Sequence, residues 1–199
     1  MKLGLFGGSF DPIHRGHLDP VRRARRALGL DRVVYLPTAV PPHKPERVAP
    51  AAMRYAMVEL ALLGEEGLFA SPYELTLDRT AYTVETLQHF RRAYPEAELH
   101  LLIGGDSFAE FDSWRRWQEI VDLARLVVLV RPGFAVAAEA LRPAIAALLC
   151  GGRVDVVADQ PVALSSTALR EMFARGEAPA PGDVPALVVQ YIHRYDLYR

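Results

Sequence analysis

Residues 5–17 read LFGGSFDPIHRGH, and the fold turns on how this stretch is divided. The run KLGLF (2–6) is short and apolar, Gly7 and Gly8 end it, and the pattern turns helical from Pro20. The division is therefore strand, corner, helix. Glycine tolerates positive φ and lets another chain or a ligand approach the backbone closely. His14 and His17 fall at or just before the helix start, where both imidazoles can face one bound group. Free N–H groups and the positive end of the helix dipole favour phosphate there. Imidazoles so placed can donate hydrogen bonds to oxygens that gain charge in phosphoryl chemistry. The residues themselves exclude the dinucleotide G-x-G-x-x-G and the P-loop, which needs Gly-Lys-Ser/Thr. On spacing alone two plainer readings stay open: a tight Gly-Gly turn, and a His-x-x-His metal pair. No Cys or carboxylate cluster nearby completes a metal site.

Outward from this corner the same alternation continues. RVVYLP (32–37), ELHLLIG (98–104), RLVVLV (125–130) and RVDVVA (153–158) read as strands buried on both faces, with LFAS (68–71) a weaker candidate. Between them the patterns predict helices over 20–28, ending at Gly29, and over 51–63, ending at Gly64. Further helices are predicted over 82–94, 108–124 (broken), 135–149, 166–174 and 184–195. Strand–helix alternation predicts an α/β domain with a mostly parallel sheet. There is no internal repeat or low-complexity linker, so a single domain over 1–199 is expected. In such sheets ligands bind beyond the carboxyl ends of the strands, where strand order reverses.

Composition narrows the partners. The chain is 51% hydrophobic and 24% charged with a net charge of −1, an ordinary balance for a protein with a real core. That balance gives no global electrostatic case for nucleic acid or an anionic membrane. Cys150 is the single cysteine, which rules out an intramolecular disulfide and fits a reducing compartment. Its setting, AALLCGG, predicts an apolar packing residue. No run reaches the roughly 18 apolar residues of a membrane span. The run LGLF before Gly-Gly is too short for a signal-peptide core. A cytoplasmic protein is expected.

A second motif lies far along the chain. LSSTALREMF (164–173) follows a strand-like run, and Ser165, Ser166 and Thr167 are N-cap types able to take anionic oxygens. Arg170, near the helix start, opposes the dipole, a conflict that a bound polyphosphate would relieve. Alone, the motif also reads as a plain cap beside a solvated Arg.

With both motifs on the page, the chain resembles the nucleotidyltransferases that carry His-x-Gly-His (His14–His17) and Ser-Ser-Thr-x-x-Arg (Ser165–Arg170). More narrowly, it is similar to the bacterial nicotinate mononucleotide adenylyltransferases. That narrower resemblance includes VPPHK (40–44), AYTVETL (81–87), IGGDS (103–107), SWRRWQEI (113–120), RPG (131–133) and DLYR (196–199). It covers essentially the whole chain.

The resemblance implies a Rossmann-like, doubly wound sheet with helices on both faces. It implies direct attack by the 5′-phosphate of nicotinate mononucleotide on the α-phosphorus of ATP, giving nicotinate adenine dinucleotide and pyrophosphate. Carried over by position, the backbone of Gly7, Gly8, Ser9 and Phe10 would line the ATP site. His14 and His17 would contact the phosphates, with His17 the principal catalytic residue. Ser166, Thr167 and Arg170 would hold the departing pyrophosphate, and Asp106 would accept from ribose hydroxyls. On the acceptor side, Lys44 would meet the mononucleotide phosphate, Thr83 would shape the pyridine pocket and Trp114 would stack on the ring, with Asp106 shared. Mg²⁺ is expected mainly on the ATP phosphates, without a protein cage. The partners expected are these two nucleotides; a homo-oligomer stays open.

Where this family usually has asparagine after the second strand, the residues are Thr38 and Ala39. The alternatives are nicotinamide mononucleotide or phosphopantetheine as acceptor, and a nucleotide-binding domain without chemistry. VPPHK, AYT and SW argue against phosphopantetheine; His14, His17 and Arg170, all present, argue against loss of chemistry.

Overall fold

A computed structural model describes residues 1–39, 49–77, 79–130, 141–158 and 164–199. Six strands form one sheet: β1 (Lys2–Gly8), β2 (Arg32–Pro37), β3 (Leu68–Ala70), β4 (Glu98–Gly104), β5 (Arg125–Val130) and β6 (Val154–Ala158). Their order is β3-β2-β1-β4-β5-β6. The pairs β1–β4, β4–β5 and β5–β6 are parallel, with Leu5 opposite Leu101 and Leu101 opposite Leu126. Strand order reverses at β1, so the carboxyl end of that strand is where a doubly wound sheet opens for a ligand. The central strands are continuously apolar because both faces are covered: in β5 every residue from Leu126 to Val130 is buried.

The helices are α1 (Arg15–Leu28), α2 (Ala51–Leu62), α3 (Thr83–Ala93), α4 (Gly105–Ala109), α5 (Trp117–Leu123), α6 (Pro143–Cys150), α7 (Ser166–Ala174) and α8 (Ala186–Arg194). The α/β reading holds, and three predicted helices change shape. Helix α1 begins at Arg15, with Pro20 inside it. The His14 carbonyl accepts from the amides of His17 and Leu18, which closes the first turn ahead of Pro20. The broken 108–124 segment starts earlier, as α4, is interrupted after Ala109, and resumes as α5 after Arg116, whose φ of 56° is left-handed. The 135–149 helix is described only from 141 on, and there it starts at Pro143. Proline suits that first position, and it holds Arg142 extended at ψ 146°. Cys150 is exposed at the end of α6, not packed as its neighbours predicted.

The chain divides into two compact units. One holds residues 1–6, 20–34 and 81–161, the other residues 7–19, 35–80 and 162–199. In the first, Gly4 lies in the sheet where an added Cβ would come within 3.0 Å of Val33 and 3.1 Å of Leu102. The absent side chain lets those two pack against the strand. Among the described residues no helix is long and apolar enough to cross a membrane.

Candidate active site

The second unit contains the whole corner from Gly7 to His17 together with Ser166, Thr167 and Arg170. Gly7 and Gly8 are the last residues of β1, and neither has a positive φ. Space, not backbone conformation, explains Gly8. An added Cβ on Gly7 would meet nothing within 4 Å, whereas on Gly8 it would stand 2.8 Å from the Phe10 ring. The left-handed residue of the corner is Phe10, at φ 46°. Phe10 has no exposed surface. Its ring meets His17 edge-on at 5.3 Å and lies 5.6 Å from Tyr35. The Tyr35 hydroxyl donates to the His17 carbonyl at 3.3 Å.

The histidines are fixed by backbone amides. The N–H of His14 donates to His17 Nδ1 at 3.3 Å, and the N–H of Gly16 donates to His14 Nδ1 at 3.1 Å. With Nδ1 of each ring used as an acceptor, the neutral imidazole carries its proton on Nε2. Both rings then present an N–H donor on the side away from the backbone. The ring centroids are 3.9 Å apart. His14 is buried and His17 half-buried, so His17 has the larger accessible face.

Helix α7 completes this unit's constellation. Ser165 is its cap, its side chain accepting from the Ala168 amide at 3.2 Å. Ser166 Oγ donates to the Pro12 carbonyl at 3.2 Å, tying the helix to the corner beside a cis Asp11–Pro12 bond. Arg170 Nη2 donates to Thr167 Oγ1 at 3.2 Å, and its Nη1 donates to the Asp11 carbonyl at 2.8 Å. Nη1 also stands 3.6 Å from Asp11 Oδ2. The conflict between Arg170 and the helix dipole is therefore already offset by a carboxylate before any polyphosphate binds. Two imidazole donors, a guanidinium and a capped helix start in one unit suit the oxygens of a polyphosphate.

Beneath this surface lies a buried polar network that the residue spacing did not indicate. Asp11 is fully buried, and its Oδ1 accepts from the Tyr198 hydroxyl at 2.8 Å and from the Ala49 amide at 3.1 Å. Arg54, 1% exposed, donates to the carbonyls of Ser9 (2.7 Å), Thr38 (2.6 Å), Ala39 (3.1 Å) and Ala49 (3.0 Å). It thereby clamps the segment after β1 to the segment after β2. Burial pulls the Arg54 guanidinium below its ordinary range, with Asp11 and Tyr198 acting in the opposite sense. Burial first, then Asp11, pushes the Tyr198 phenol far above its ordinary range. The Thr38 hydroxyl, in the Thr38–Ala39 pair where the family usually has asparagine, is buried without a hydrogen-bond partner among the described residues.

Asp106, Thr83 and Trp114 belong to the first unit. Asp106 is exposed in the first turn of α4, just past the end of β4. Gly104 occupies the cap position there, so Asp106 is not serving as a cap. Thr83 is the first residue of α3, next to Tyr82, whose ring lies 4.4 Å under the Arg115 guanidinium. Trp114 is half-buried between a short 3₁₀ turn and α5, and its ring lies 5.3 Å from Phe111. It is neither helical nor core. Lys44 and the rest of VPPHK lie outside the described residues.

Comparison with known proteins decides among the nucleotide-binding families. Residues 5–172 match the Cytidylyltransferase-like family. A protein of Laribacter hongkongensis named "Probable nicotinate-nucleotide adenylyltransferase" is 44% identical over 100% of this chain and 95% of its own length. A protein of Gloeobacter violaceus with the same name is 38% identical, over 99% of this chain and 96% of its own. The chain belongs to the nicotinate-nucleotide adenylyltransferase family. One solved structure, the Plasmodium falciparum nicotinic acid mononucleotide adenylyltransferase complexed with NaAD, matches with a TM-score of 0.75. That match covers 99% of this chain and 97% of the other at 15% identity, a likeness of fold. For a nicotinate-nucleotide adenylyltransferase the motif residues were readable, but Asp11, Arg54 and Tyr198 were not assigned roles. A buried Asp between Phe and Pro gives no local pattern, although DLYR did mark the stretch that holds Tyr198.

Proposed function

We propose that this chain transfers the adenylyl group of MgATP to the 5′-phosphate of nicotinate mononucleotide, releasing pyrophosphate. One observation carries this reading: the two imidazoles with occupied Nδ1 atoms share a compact unit with Arg170, whose guanidinium is held by Asp11. The names of the full-length relatives supply the acceptor. An oxygen of the acceptor phosphate bonds to the α-phosphorus of ATP. The bond from that phosphorus to the oxygen bridging to the β-phosphate breaks, and pyrophosphate leaves with the electron pair. Such transfers need positioning and charge neutralisation more than covalent help.

In this reading Gly7, Gly8 and Ser9 border the nucleotide, and Phe10 supports His17 from behind. His14 and His17 donate from Nε2 to the phosphates, and Ser166, Thr167 and Arg170 take the pyrophosphate. Asp106 accepts from ribose hydroxyls. Lys44, Thr83 and Trp114 bind the mononucleotide. Nucleotidyltransferases of this kind generally use Mg²⁺. The donors of the corner are N–H groups and a guanidinium, which suit phosphate oxygens, whereas Mg²⁺ takes oxygen ligands. Among the described residues no group of three or more His, Cys, Asp or Glu is placed to hold a metal. In this reading the ion comes as part of the substrate, MgATP, and chelation is expected to abolish turnover.

The test is kcat/KM with nicotinate mononucleotide, nicotinamide mononucleotide and phosphopantetheine under identical MgATP. Nicotinate mononucleotide is expected to lead. A lead for either of the others overturns the acceptor assignment.

A further inference from the structure

We propose that Tyr198 is a positioning residue for Arg170, acting through the carboxylate of Asp11. The inference rests on the reading of Arg170 as the cation that receives the leaving pyrophosphate.

A carboxylate with no exposed surface must have its lone pairs directed. At Asp11 the direction is set by what occupies Oδ1: the Tyr198 hydroxyl at 2.8 Å and the Ala49 amide at 3.1 Å. Among the described residues Oδ2 accepts no hydrogen bond, and it faces Arg170 Nη1 at 3.6 Å. Nη1 donates one N–H to the backbone carbonyl of the same Asp11, and Nη2 reaches Thr167. The guanidinium is therefore set by the main chain of Asp11, by Thr167 and by a carboxylate kept from closing into a two-oxygen fork. Without the phenol, Oδ1 loses its strongest donor, and the carboxylate can turn toward the guanidinium. An Arg–carboxylate fork of that kind is strong and would draw Arg170 away from a phosphate.

The other cation of the network cannot substitute. All the donating nitrogens of Arg54 are committed to carbonyls at Ala49, Ser9, Thr38 and Ala39. Its effect on Asp11 is a charge at a distance.

Two backbone features agree with a built device. Tyr198 has φ 72°, and Phe10, the residue before Asp11, has φ 46°. Left-handed backbone at bulky residues persists only where surroundings hold it, and it gathers at functional sites. The Tyr198 ring lies 6.1 Å from the Phe173 ring at an interplanar angle of 29°. Phe173 is on α7, the helix that carries Arg170. Thr167, Arg170 and Tyr198 also border one cleft of about 370 Å³, so the anchored guanidinium opens onto space and is not sealed in packing.

The experiment is a double-mutant cycle on the full chain with Tyr198→Phe, Arg170→Ala and the pair, read as kcat and as KM for MgATP and for the mononucleotide, and followed by thermal unfolding. Tyr198→Phe is expected to lower kcat about 10- to 100-fold with KM for the mononucleotide unchanged. In the Arg170→Ala background it is expected to cost nothing further, because its effect passes through the missing guanidinium. Equal losses in both backgrounds, or wild-type kcat in Tyr198→Phe, overturn the proposal while leaving the assigned reaction standing. Wild-type kcat in Arg170→Ala overturns the role of Arg170 itself. Should Tyr198→Phe unfold, Thr167→Val measures the other tether: a kcat loss absent from the Arg170→Ala background supports anchoring of the guanidinium, and an unchanged kcat contradicts it.

Discussion

At the scale of single residues, the chemistry depends on which nitrogen of each imidazole carries the proton. Amide donation into Nδ1 of His14 and His17 leaves Nε2–H as the working group. Loss of one preorganised donor to a developing charge typically costs about 3 kcal/mol, so His17→Ala is expected to lower kcat about 10²- to 10³-fold. Glutamine places an amide N–H near the position of Nε2. His17→Gln should therefore recover part of that loss, whereas His17→Asn should not. Equal kcat for the Gln and Ala variants would show that the donor position is wrong. Residues of this kind were legible because their partners are close in sequence: the histidines bond to each other's turn, and Arg170 bonds to Thr167. Tyr198 and Asp11 are 187 positions apart and Arg54 and Ser9 are 45 apart, distances at which no spacing pattern operates.

At the scale of elements, the end of β1 carries a contrast that one substitution on each glycine can expose. A methyl on Gly8 collides with the ring of fully buried Phe10, which has nowhere to retreat. Gly8→Ala is expected to destabilise the protein by about 1–3 kcal/mol, seen as a lower Tm. A methyl on Gly7 meets open space within the protein. Gly7→Ala should leave Tm in place and raise KM for MgATP, because the space it fills is where the nucleotide is assigned. Unchanged KM would remove Gly7 from the site. The strands were readable in sequence, β2, β4 and β5 with their observed ends, since buried parallel strands are unbroken runs of Val, Leu and Ile. Helix starts were harder. Pro20 looked like a beginning, but the turn at His14–Leu18 had already formed from backbone bonds that no side chain announces.

At the scale of the molecule, the alternation of strands and helices predicted the class of sheet but not its order, which depends on tertiary pairing. The charge network adds a property of the whole native state. The phenol of Tyr198 is held far above the ordinary tyrosine range by burial and by Asp11, so the unfolded chain gives up that proton first. A proton bound more tightly in the folded state contributes stability that is complete below about pH 10, the unfolded value, and is lost as pH rises above it. Tyr55, pushed up to about 12 by burial and Glu59, adds to the same trend. Urea midpoints between pH 9 and pH 11 should therefore fall more steeply in the wild type than in Tyr198→Phe. Parallel slopes would contradict the buried hydrogen bond.

The most direct measurement of the central claim is the product balance of one reaction: MgATP and nicotinate mononucleotide with the wild-type protein, all nucleotides quantified. The expected result is nicotinate adenine dinucleotide and pyrophosphate in equal amounts, with no ADP. ADP and phosphate as the products, or ATP bound tightly without turnover, would contradict adenylyl transfer.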